Sequence, residues 1–136
     1  MENLSFIIVD DSELDCFIAS KVIKQSGENG EITSFLQAKD TLKYFQNKDV
    51  NNLQITVILL DIIMPLMNGF EFLDEFKKLP KAVHERCYII AITSSMNKKY
   101  TGMIPDYEEV KAVVDKPITS EKFKLLLEKI SLYAEN

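Results

Sequence analysis

The sequence predicts an α/β fold in which a parallel β-sheet is covered by helices. Three observations carry this. Four short apolar runs are rich in Val and Ile: FIIV at 6–9, ITVILL at 55–60, YIIAI at 88–92 and VKAVVD at 110–115. Runs of this length read as strands buried on both faces, the pattern of a parallel sheet between helical layers. Segments with helical spacing of apolar residues separate them, so strand and helix alternate from end to end. Each run also ends on reactive side chains: Asp10-Asp11, Asp61, Thr93-Ser94 and Lys116-Pro117. Ligands of such sheets sit beyond the carboxyl ends of the strands, so carboxylates, a hydroxyl and an ammonium should converge at one edge.

The elements follow in order. After the first strand, Leu14, Phe17, Ile18 and Val22 recur at helical spacing, and Ser12 with Asp15 resembles a capping box. Gly27 and Gly30 punctuate the exit, and EITSF at 31–35 reads as an edge strand. Residues 38–46, with Leu42 and Phe45 apolar, form a second helix, and the polar stretch 49–54 leads into the third strand. Phe70, Phe72, Leu73 and Phe76 mark a third helix, which Pro80 should end. Asn68-Gly69 before it offers residues tolerant of positive φ, and Met64-Pro65 restrains the loop after Asp61. PKAVHER at 80–86 is polar and reads as a solvated loop, so His84, the chain's one histidine, is assigned neither a phosphodonor nor a metal role. Gly102 and Pro105 interrupt the segment 96–109, so a fourth helix there should be short or irregular. The last helix is capped by Thr119 or Ser120, with Glu121 in its first turn and Phe123, Leu126, Leu127 and Ile130 on its apolar face.

Composition narrows the classes. A length of 136 residues favours one domain over 1–136, without repeats, linkers or a fused output domain. The net charge of -5 argues against non-specific nucleic-acid binding, which draws on Lys and Arg. No apolar stretch approaches the ~18 residues of a membrane span, and Met1-Glu2-Asn3 is not a basic signal-peptide start. Cys16 and Cys87 fit no metal or redox spacing and read as reduced core thiols, which suits a cytoplasmic protein.

The chemistry lies at the strand ends. Asp10, Asp11 and Asp61 would repel one another unless a cation offset them, and an oxygen-rich pocket favours Mg²⁺. Asp11 or Ser12 alone is equally well explained as a helix cap. Asp61 is harder to explain that way, because a charge closing six apolar residues has no structural use. A carboxylate beside a metal, an ammonium and a hydroxyl suits phosphoryl transfer, with Asp61 as nucleophile, Lys116 neutralising the phosphoryl oxygens and Thr93 donating a hydrogen bond.

With those residues in view, the chain resembles response-regulator receiver domains of two-component phosphorelays. The resemblance rests on FIIVDDS, LLDIIMPLMNG, AITSS and DKPI, spread over nearly the whole length. It implies a flavodoxin-like, doubly wound sheet of five parallel strands in order 2-1-3-4-5 with five helices on its two faces. It implies Asp61 as phosphoacceptor, with Thr93 and Lys116 contacting the phosphoryl group. Mg²⁺ would be bound by Asp11, Asp61 and the main-chain carbonyl of Ile63, with Asp10 helping through water. A cis Lys116-Pro117 peptide is implied as well. The donor would be a histidine kinase or histidine phosphotransfer protein, and the signal would leave by contact with a downstream protein not named by the sequence. Such a protein is a phosphoacceptor rather than an enzyme.

Three departures from the family pattern stand out. Val113 replaces the aromatic residue often found three positions before the lysine, which argues against an aromatic-rotamer switch. Ile63 puts an apolar side chain two residues after Asp61. Gly102 and Pro105 fall in the usual output surface.

The rival readings are an aspartate-nucleophile phosphatase, a nucleotide- or flavin-binding module, and a receiver-like scaffold that works without phosphorylation. The first lacks the second Asp two residues after the nucleophile, where Ile63 stands. The second lacks any glycine-rich phosphate loop, because the glycines lie at 27, 30, 69 and 102. The third is disfavoured by the full residue set.

Overall fold

The computed structural model describes residues 4–93 and 107–134. Five strands, β1 (Ser5–Val9), β2 (Ile32–Phe35), β3 (Thr56–Asp61), β4 (Cys87–Thr93) and β5 (Val110–Asp115), form one sheet in the order β2-β1-β3-β4-β5. All four pairings are parallel. The α-helices among the described residues are α1 (Glu13–Gln25), α2 (Ala38–Asn47), α3 (Gly69–Phe76), the single turn α4 (Lys81–His84) and α5 (Ser120–Ala134). The expected helix within 96–109 falls largely outside the described residues.

Period-two alternation sends each central strand's side chains into two separate cores. Ile7, Val9, Ile58, Leu60, Ile89 and Ala91 face α2 and α3, where Leu42, Phe45, Phe72 and Phe76 close the layer. Phe6, Ile8, Val57, Leu59, Ile90 and Ile92 face α1 and α5, meeting Ile23, Phe123, Leu126 and Ile130. Burial on both faces explains why the strands read as unbroken apolar runs rather than alternating ones. Cys16 and Cys87 belong to these layers and are free thiols. Burial pushes their pKa up to about 11 and about 12, which keeps them unreactive.

Helix ends follow the local chemistry with two corrections. Ser12 caps α1 by accepting from the Asp15 N–H, and Thr119 caps α5 by accepting from the Lys122 N–H. Helix α3 stops at Phe76, short of Pro80, because the turn after it closes through Lys78 and Leu79 N–H groups. Pro80 instead precedes α4, where its fixed φ suits a helix start. His84 consequently does not lie in a solvated loop. Its ring stacks on Phe76 at 5.0 Å, and its Nε2 is buried with no hydrogen-bond partner among the described residues.

The loop between β3 and α3 holds the second correction. Asn68 keeps negative φ and caps α3 in a reciprocal capping box with Glu71. Gly69 is required for closeness, not for positive φ: a Cβ there would lie 2.7 Å from Ile62 Cα, and its N–H donates to the Ile62 carbonyl at 2.9 Å. The positive φ falls on Leu66, at 68°, with a side chain 87% exposed. Leu66→Asn removes that strain at little loss of packing, so it should stabilise the protein by about 0.5–1 kcal/mol. Urea denaturation of the two proteins measures the difference.

Candidate functional site

The carboxyl ends of β1, β3, β4 and β5 bring the reactive side chains to one edge. Asp10 follows β1 directly and is buried, with its N–H on the Phe35 carbonyl and its Oδ1 accepting from the Ser12 N–H at 3.0 Å. Asp11, the next residue, is exposed at the rim. Asp61 is the last residue of β3 and is only 4% exposed, and its Oδ1 accepts from the Ile63 N–H at 3.1 Å. Carboxylate oxygens of Asp10, Asp11 and Asp61 all lie within 4.8 Å of one another.

Lys116 enters from the end of β5. Its N–H donates to the Thr93 carbonyl at 2.9 Å, and its peptide with Pro117 is cis. The Lys122 ammonium of α5 donates to the Asp115 and Pro117 carbonyls on either side, fixing the turn that carries Lys116. The Lys116 Nζ lies 2.9 Å from Asp10 Oδ2, 2.9 Å from Asp15 Oδ2 and 3.3 Å from Asp61 Oδ2. Thr93 closes β4, fully buried, opposite Asp115. The Ile63 side chain is half-exposed beside Asp61, and Val113 is half-exposed on the edge strand β5. Ser94 lies outside the described residues.

Six of the residues singled out from the sequence, Asp10, Asp11, Asp61, Ile63, Thr93 and Lys116, therefore stand at one edge of the sheet. Asp15 was missed as part of this cluster. The sequence marks it as the partner of Ser12 in a capping box, but the Ser12 N–H donates to Asp10 and the Asp15 carboxylate accepts from Lys116 instead.

Charge is unevenly balanced here, because one ammonium meets the carboxylates of Asp10, Asp15 and Asp61. Burial, reinforced by the charge of Asp10, pushes the Asp61 pKa up to about 6 despite Lys116 and the Ile63 N–H. Burial works against the charge of Lys116, but hydrogen bonds to Asp10 and Asp15 and the charge of Asp61 hold its pKa above the usual lysine range. At neutral pH the site is thus a largely ionised carboxylate facing a fixed ammonium, inside an oxygen-only donor set that would suit a hard divalent cation.

Comparison with known proteins agrees with this architecture. The response regulator receiver domain family matches residues 6–128, and the chain belongs to that family. The two-component response regulator ORR13 of Oryza sativa subsp. japonica is 28% identical over 111 residues, spanning 79% of this chain and 86% of that protein. The response regulator receiver protein of Dyadobacter fermentans DSM 18053 superposes with a TM-score of 0.83 at 29% identity, covering 93% of this chain and 96% of its own. A two-component response regulator from Cytophaga hutchinsonii gives 0.80 at 22% identity, covering 96% and 98%, a likeness of fold alone. The protein is thus a receiver domain of two-component signalling. Among the described residues no helix is long and apolar enough to cross a membrane.

Proposed function

We propose that Asp61 accepts a phosphoryl group from the phosphohistidine of a histidine kinase or histidine phosphotransfer protein. The observation that carries this is the convergence of buried Asp61 with the Lys116 ammonium at 3.3 Å, beside the carboxylates of Asp10 and Asp11. An Asp61 carboxylate oxygen attacks phosphorus, and the phosphorus–nitrogen bond of the donor breaks with its electron pair left on the imidazole. Lys116 offsets the charge gathering on the phosphoryl oxygens, and the Thr93 hydroxyl donates to one of them. Asp10, Asp11, Asp61 and the Ile63 carbonyl would hold Mg²⁺, which supplies positive charge against the same oxygens when bound.

The reading makes the protein a phosphoacceptor switch of the cytoplasm, not a turnover enzyme, with residues 1–136 acting as one receiver module. Ile63 offers no general acid two residues after the nucleophile, which supports acceptance over hydrolysis. The phosphorylated site would then act on a downstream protein by direct contact.

Intact mass after incubation with Mg²⁺ and acetyl phosphate is the test. A gain of one phosphoryl group, prevented by chelation before mixing, is expected. No gain would favour a phosphorylation-independent scaffold, and steady release of phosphate over many turnovers would favour a hydrolase.

A further inference from the structure

Lys116 is shared among carboxylates, and one of them has no part in the phosphoryl chemistry above. Asp15 Oδ2 lies 2.9 Å from the ammonium, as near as Asp10 and nearer than Asp61 at 3.3 Å. It stands in the first turn of α1, outside the group of Asp10, Asp11 and Asp61 that would share a cation. A cation held by that group would offset their charges and leave the Asp15–Lys116 pair in place. An ammonium has three N–H donors, and Asp10, Asp15 and Asp61 supply three acceptors.

We propose that Asp15 is a positioning residue that holds the Lys116 ammonium toward α1 and competes for it with whatever is bound at Asp61. The inference rests on Asp61 being the phosphoacceptor. A phosphoryl group on Asp61 brings oxygens that need the ammonium, and its negative charge is also repelled by Asp15. Asp15 therefore sets a threshold for occupancy of the site: Lys116 must loosen one close ion pair before it can serve the phosphoryl group fully. The Asp15 side chain is 37% exposed, so solvent screens the competition and its effect is moderate.

The test is the affinity of the Mg²⁺-loaded protein for beryllofluoride, a phosphoryl mimic, measured by calorimetric titration. Asp15→Asn keeps an oxygen acceptor without the charge, whereas Asp15→Ala removes both. Both variants should bind beryllofluoride about threefold to fivefold more tightly, the effect of one partly screened ion pair. Asp15→Glu, which restores the charge, should return the affinity toward that of the parent protein. In a Lys116→Ala background the gain from Asp15→Asn should largely vanish, because the contested ammonium is gone.

Unchanged or weaker binding by the Asn and Ala variants overturns the competition, as does an equal gain in the Lys116→Ala background. A role in helix α1 alone would lower the melting temperature without tightening binding, which also overturns it. A parent protein that neither binds beryllofluoride nor gains mass from acetyl phosphate sinks the phosphoacceptor reading itself. Normal behaviour of the parent with an inert Asp15→Asn sinks only the present inference.

Discussion

Asp61→Asn should abolish labelling by acetyl phosphate and, in the presence of a chelator, make the protein more stable at neutral pH. The two effects share one cause, because the buried carboxylate that can act as a nucleophile is also costly to ionise. The sign follows from proton binding. The Asp61 pKa rises from its ordinary 3.8 to about 6 on folding, so the folded protein binds the proton more tightly than the unfolded chain. The stabilisation this gives is fully present below about pH 4 and is lost as pH rises through 6. Above pH 6 the ionised form costs the fold at most about 3 kcal/mol, the free-energy equivalent of the shift from 3.8 to about 6. Asparagine escapes this cost. Chemical denaturation at pH 7 should therefore show a gain of up to about 3 kcal/mol for the variant, shrinking toward zero near pH 4. Normal labelling of the variant contradicts Asp61 as the acceptor, whereas equal stability at pH 7 contradicts only the cost of ionising its carboxylate.

Lys116→Ala should act in the opposite direction. The Lys116 side chain is only 23% exposed and is the shared partner of Asp10 and Asp61, both nearly fully buried. Removing one member of a buried ion pair typically costs about 3–5 kcal/mol, because the remaining charges lose their compensation. The loss should be largest at neutral pH and should shrink on acidification, as Asp61 takes up a proton. Millimolar Mg²⁺ should restore part of it if Asp10, Asp11 and Asp61 hold the ion together. Melting temperatures at pH 5 and pH 7.5, with Mg²⁺ or a chelator, separate these contributions. Insensitivity to both pH and Mg²⁺ would mean that the carboxylates do not depend on Lys116.

Much of the site was legible in the sequence because a parallel sheet places the ends of its strands together. Once the runs ending at Val9, Leu60 and Ile92 read as strands, the residues just beyond them had to meet at one edge. The same logic located Lys116 after the last strand. Periodicity likewise revealed α5, where Phe123, Leu126 and Ile130 fall on one face.

Misreadings arose where local pattern and three-dimensional contact diverge. His84 looked solvated because its neighbours in sequence are polar, yet its ring packs on Phe76, a residue of the preceding helix. Gly69 looked like a turn residue because glycine tolerates positive φ, yet its use is to let the backbone approach Ile62, while Leu66 takes the left-handed conformation. Asp15 looked like the capping-box partner of Ser12 because nothing in one turn of α1 reveals an ammonium 101 residues away.

The sequence by itself determined the sheet, its layers and the residues at the strand ends, because burial and periodicity are written locally. Only the tertiary structure decided how the charges are shared. Lys116 sits between Asp10, Asp15 and Asp61 at 2.9, 2.9 and 3.3 Å, and such distances are set by how β1, α1, β3 and β5 pack together. Electrostatic energies depend on separation and burial, and neither is encoded in the spacing of residues along a chain.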